Sequence, residues 1–135
     1  MTVHFTSKRA DWGTPQAFFD EINAEFGFTL DVCATSDNAK CAIYFTPEQD
    51  GLLEDWKAEI CWMNPPYGRQ IGRWVQRAYE ASLLGATVVC LVPARTDTRW
   101  WHQYVTLGEI RFLKGRIRFD GAKSSAPFPS AVVVF

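Results

Sequence analysis

The chain lacks the usual metal and redox signatures. It has two histidines, His4 and His102, and four cysteines at positions 33, 41, 61 and 90. No two cysteines form a CxxC pair, and neither histidine has ligand spacing to a cysteine, so no metal site is expected. Cys61 and Cys90 sit inside apolar runs and read as buried, reduced thiols of a cytoplasmic protein. No apolar run approaches the roughly 20 residues that a membrane span needs. Residues 1–11 form a polar lead-in without the apolar stretch of a signal peptide. There is no repeat, linker or low-complexity segment. What remains is 135 residues, 47% hydrophobic and 21% charged, which fits one globular domain with one core.

The net charge of −1 hides an asymmetry. Residues 1–68 carry four basic and eleven acidic side chains, whereas residues 69–135 carry ten basic and four acidic ones. An acidic half suits a cationic small molecule, and a basic half suits a phosphate backbone. Clustering of ordinary exposed charges would give the same totals.

Periodicity predicts an α/β order. Trp12-Gly13-Thr14-Pro15 reads as a helix start, with Thr14 as N-cap and Pro15 at the first helical position. Phe18, Ile22 and Phe26 recur every four residues, and Gly27 closes the helix. Phe28–Val32 reads as a strand, and Ala42–Phe45 as a second, short one. Pro47 and Asp50-Gly51 mark a turn. Glu59–Met63 is a strand that runs into Pro65-Pro66. From Ile71 a helix places Ile71, Trp74, Val75, Ala78 and Tyr79 on one face, with Gly85 as its cap. Thr87–Val92 is continuously apolar, as in a strand buried on both faces. A short helix over 97–105, a bent strand or hairpin over Glu109–Phe119, and a last strand at Ala131–Phe135 complete the pattern. Alternating strands and helices imply a parallel sheet, with ligands beyond the carboxyl ends of the strands. Asp31-Val32-Cys33 and Asn64-Pro65-Pro66-Tyr67 both fall at such ends.

Asn64-Pro65-Pro66-Tyr67 is the strongest chemical signal. A conjugated amine such as N6 of adenine is a poor nucleophile because its lone pair is delocalised into the ring. Two acceptors aimed at its two hydrogens favour a tetrahedral nitrogen with a localised lone pair. The Asn64 oxygen and the Pro65 carbonyl can supply them, and the double proline holds both in place. Tyr67 offers an aromatic face on which a flipped-out base can stack, worth roughly 1–3 kcal/mol. By itself the tetrapeptide also reads as an ordinary strand-ending turn.

The surrounding motifs narrow that reading. Asp11-Trp12-Gly13-Thr14-Pro15, Leu30-Asp31-Val32-Cys33-Ala34, Tyr44-Phe45-Thr46-Pro47, Trp62–Gly68, Lys114-Gly115-Arg116-Ile117 and Ala126–Ala131 follow one another in order. This ordered set resembles the phage-type Dam DNA N6-adenine methyltransferases over nearly the whole chain. The resemblance implies S-adenosylmethionine as methyl donor and a reduced Rossmann-like α/β fold. Its sheet would be mostly parallel, with about five or six strands in a single domain. It implies that Trp12, Thr14 and Pro15 help bind the donor. Asp31 would lie at the donor's methionine end with Cys33 beside it. Asp50 would reach the ribose, and Asp55 the adenine amine. It also implies a phage or prophage origin and action in the host cytoplasm. One departure is that Cys33-Ala34-Thr35-Ser36-Asp37 has no glycine where many methyltransferases have several.

Two basic sets are candidates for DNA phosphates: Arg69, Arg73 and Arg77 on one helix face, and Lys114, Arg116, Arg118 and Lys123 near the C-terminal loop. No insertion is large enough for a separate target-recognition domain, so sequence specificity is expected to be short or absent unless the 120–130 loop supplies it. A homodimer is a further expectation, because AVVVF at a sheet edge would need cover. RNA adenine, a protein glutamine amide, or binding without turnover remain as alternatives.

Overall fold

The computed structural model describes residues 12–135. Met1–Asp11 lie outside the described residues, and with them the polar lead-in, His4 and the first residue of the Asp11–Pro15 motif. Helix α1 spans Gln16–Phe26, and Gly27 at φ 68° ends it by donating its N–H to the Asn23 carbonyl. Thr14 does not cap α1 as expected. Pro15 occupies the cap position with no side-chain cap, and the Thr14 hydroxyl is engaged by Asn64 instead.

Strands β1 (Leu30–Asp31), β2 (Ile60–Met63) and β3 (Thr87–Pro93) follow, with helix α2 (Ile71–Leu83) between β2 and β3. A short helix α3 (Arg99–Gln103), strand β4 (Glu109–Phe112) and strand β5 (Ser130–Val134) complete the fold. The sheet order is β1-β2-β3-β5-β4. The first three strands pair in parallel. β5 is antiparallel to both of its neighbours. The α/β class and the five strands match expectation, but the sheet is mixed. Only its first half is parallel, because the last strand enters reversed between β3 and β4.

Three local expectations change. Ala42–Phe45 contributes a single bridge, Tyr44 to Asp31, rather than a strand. β4 stops at Phe112, so Glu109–Phe119 is neither a hairpin nor a continuous strand. Ala131–Val134 is not an edge, since β5 is paired on both sides. The edge argument for a homodimer therefore fails for AVVVF. The exposed edge is β4, where Glu109 and Arg111 present charges that discourage strand pairing.

Alternation along the strands sorts the core onto two faces. Cys61, Met63, Val88, Cys90, Val92, Ala131 and Val133 pack with the buried stripe of α2: Ile71, Trp74, Val75, Ala78 and Ala81. Trp62, Val89, Leu91 and Val132 face the other way, against Phe19 of α1 and against Phe119 and Ala126 of the long β4–β5 connection. Burial on both faces explains why β3 carries no polar residue after Thr87. The β1–β2 connection holds almost no regular structure beyond a 3-10 turn at Gly51–Leu53. That turn needs glycine. A Cβ at Gly51 would stand 2.2 Å from the Val32 carbonyl oxygen and 3.0 Å from the Trp74 ring. Among the described residues, no helix is long and apolar enough to cross a membrane.

Candidate active site

The carboxyl ends of β1 and β2 open onto one crevice, the position where parallel strands usually bind ligands. One part of it, an open cleft of about 580 Å³, is lined by Trp12, Thr14, Asp31, Lys40, Asn64 and Pro65, among others. A second part, of about 530 Å³, is lined by Phe45, Asp50, Gly51, Gln70 and Trp74, among others. Cys33, Pro47 and Pro66 border both.

Asn64 follows the last residue of β2, so the strand fixes where its side chain starts. Its Nδ2 donates to the Trp12 main-chain carbonyl and, at 2.9 Å, to the Thr14 hydroxyl. Both amide hydrogens are thus engaged. Its Oδ1 is buried, and among the described residues it has no hydrogen-bond partner. A buried acceptor without a partner costs about 1–3 kcal/mol, so its persistence at this position points to a ligand donor. Gly68, at φ 142°, then turns the loop toward α2.

Tyr67 packs with Trp12, Phe119 and Phe128. Its ring lies 6.4 Å from Trp12 in a stacked arrangement and 5.7 Å from Phe128 edge-on. Its hydroxyl donates to the Leu91 carbonyl at 3.3 Å, and burial holds its pKa well above the ordinary tyrosine value. The ring is therefore fixed from below. Beside it lies a wide depression lined by Trp12, Tyr67, Pro93, Arg95, Trp100 and Phe128, among others. Arg95 sits over the Phe128 ring at 5.7 Å. Sequence reasoning did not single out Arg95 or Trp100. The available signal was their place just past the carboxyl end of β3, the third strand feeding the same crevice.

Asp31 is only 2% exposed and lies at the floor of the first cleft. Its Oδ1 accepts from the Cys33 N–H at 3.2 Å and its Oδ2 from the Lys40 N–H at 3.0 Å. It therefore organises the loop that replaces the missing glycine-rich turn. Burial raises its pKa from 3.8 to about 6, against the lowering effect of those two N–H groups. Asp50 borders the second cleft at φ 57° and accepts from the Leu52 N–H. Asp55 lines a separate depression with Trp56, Lys57 and Arg77, and its carboxylate accepts from the Lys57 N–H.

The basic candidates differ in what holds them. Arg69 and Arg73 are exposed. Arg77 lies over the Trp56 ring at 5.2 Å and donates to the Glu54 carbonyl at 2.7 Å. Lys114, Arg116 and Lys123 are exposed. Arg118, also exposed, donates to the Ala122 carbonyl and so braces its own loop.

The model of the DNA N-6-adenine-methyltransferase (Dam) family matches residues 2–132. A DNA N-6-adenine-methyltransferase of Haemophilus phage HP1 is 32% identical, over 94% of this chain and 82% of its own length. YfdM of Escherichia coli (strain K12), which carries a provisional methyltransferase name, is 43% identical over 42% of this chain and 69% of its own length. With a family match that leaves out only four residues, this chain belongs to the DNA N-6-adenine-methyltransferase (Dam) family.

Proposed function

We propose that the protein transfers a methyl group from S-adenosylmethionine to N6 of an adenine flipped out of DNA, within one Rossmann-like domain. The observation that carries this reading is the buried, unpartnered Oδ1 of Asn64, whose amide hydrogens are both engaged elsewhere. An acceptor held in that way, with no partner among the described residues, suits a ligand N–H. The family match and the name of the phage relative support adenine in DNA as the substrate.

S-adenosylmethionine, when bound, supplies a methyl group activated on a sulfonium. The residues present fit it as donor. The acidic Asp31 lines one cleft, where it suits the ammonium group, and Asp50 lines the adjoining cleft, where it suits the ribose. Trp12, Thr14 and Cys33 wall the first cleft, and Pro15 follows Thr14 at the cap position of α1. Asn64 Oδ1 and the Pro65 carbonyl accept from the two N6 hydrogens and localise the nitrogen lone pair. That pair would accept the methyl group while the S–C bonding pair stays on sulfur, and the surplus N6 proton would leave to solvent. Tyr67, fixed by its aromatic neighbours, supplies a rigid face for the base. Exposed Arg69, Arg73, Lys114, Arg116 and Lys123 suit flanking phosphates.

The test is to incubate the protein with labelled donor and unmethylated duplex DNA, digest to nucleosides and identify the product. Label is expected in N6-methyldeoxyadenosine. Asn64→Ala should lower its formation about 1000-fold, following the loss of a preorganised polar group. Label in RNA or protein but not DNA would reassign the substrate, and donor binding with no transfer to any of them would overturn the reading.

A further inference from the structure

An asparagine side chain can turn over, exchanging its oxygen and its NH2 group with almost no change in shape. Only one orientation serves as an acceptor toward an amine, since the other would set two sets of N–H groups against each other. The Trp12 carbonyl accepts but cannot donate, so it draws the NH2 end toward itself. That contact uses one amide hydrogen. The other reaches Thr14 Oγ1 at 2.9 Å. Thr14 is only 3% exposed, which keeps this contact away from competing water. The hydroxyl that could have capped α1 is spent here instead.

We propose that Thr14 is a positioning residue that saturates the Asn64 amide nitrogen and so keeps Oδ1 facing the substrate. This rests on the methyl-transfer reading above. The resemblance places Thr14 in donor binding, and the two roles separate kinetically. A donor contact affects donor affinity. A positioning contact affects kcat, because it holds an acceptor whose interaction is strongest as the lone pair localises. Removing the hydroxyl leaves a buried N–H without its acceptor and frees the amide to rotate.

The experiment compares Thr14→Val and Thr14→Ser by kcat at saturating donor and DNA, and by calorimetric titration with S-adenosylmethionine. Thr14→Val is expected to lower kcat roughly 10- to 100-fold while donor affinity changes by less than about threefold. Thr14→Ser, which keeps the hydroxyl, is expected to stay within about threefold of the parent in both. On an Asn64→Ala background Thr14→Val should have no further effect on kcat. Donor binding weakened by Thr14→Val with kcat at saturation unchanged would overturn the proposal in favour of the donor role. Equal losses in Thr14→Val and Thr14→Ser would overturn it in favour of a steric role. The parent protein gives a reading that no variant's folding can obscure. In a ¹⁵N spectrum the Asn64 side-chain amide hydrogens should exchange slowly with solvent, and fast exchange would overturn the proposal. That measurement needs no turnover, so it stands apart from failure of the methyl-transfer reading itself.

Discussion

The two faces of the sheet are built from different material. The face under α2 is covered by that helix, whose Trp74, Val75 and Ala78 are at most 5% exposed, together with Trp56, Trp101 and Val105. The opposite face is covered by α1 and by the irregular β4–β5 connection, and its packing is largely aromatic: Phe19, Phe26, Phe28, Trp62 and Phe119, continuing into Trp12, Tyr67 and Phe128. No break separates that second core from the site. Phe119, 2% exposed, touches Trp12 at 5.2 Å and Tyr67 at 6.2 Å between ring centroids. The helix face reaches the site through Trp74, which lines the second cleft, whereas the aromatic face carries the rings packed around Tyr67.

Mutations can break that contrast. Phe119→Ala should be the most damaging. Loss of a buried phenylalanine costs about 3–5 kcal/mol, and here it also frees Trp12 and Tyr67. Urea unfolding should show the loss of stability, and kcat measured well below the melting point should fall as well. Val75→Ala on the helix face should cost about 2 kcal/mol and leave kcat of the folded protein unchanged. Equal effects of the two on kcat would remove the distinction between the faces.

Asp31 sharpens the comparison from the cleft side. Its pKa is raised from 3.8 to about 6, so the neutral form is favoured in the fold. That contribution to stability is present below 3.8 and is lost as pH rises through about 6. Donor binding runs the other way, because only the carboxylate attracts an ammonium group. Affinity for S-adenosylmethionine should therefore fall below pH about 6, by up to about tenfold per pH unit. Asp31→Asn should flatten the profile in calorimetric titrations. An unchanged slope in that variant would assign the pH dependence to another group.

Sequence reasoning located what depends on local pattern. α2 is amphipathic at helical spacing, β3 is continuously apolar, and the two prolines end β2, so this unit and its Asn64 loop were legible. The β1–β2 connection was not, because side chains hold it rather than periodic pairing: Asp31 gathers the N–H groups of Cys33 and Lys40, and Trp56 Nε1 donates to the Gly51 carbonyl. Glu109–Phe119 misled for a related reason. Ile117 and Phe119 alternate with charged residues because an extended loop buries one side against the aromatic face, without a partner strand. Insertion of β5 between β3 and β4 is a long-range choice that no window of sequence encodes. Thr14 was selected as a helix cap and a donor contact, and its partner Asn64 lies 50 residues away, beyond any local pattern.

The link between residues 12–14 and the rest of the chain has a consequence for folding. Trp12 holds Asn64 from a separation of 52 residues, and the Gly13 carbonyl accepts from the N–H of Asp120. Contacts that span so much chain form late, since each must close a large loop first. With residues 12–14 tied to position 64 on one side and to position 120 on the other, the lock on the Asn64 amide is a late event of folding.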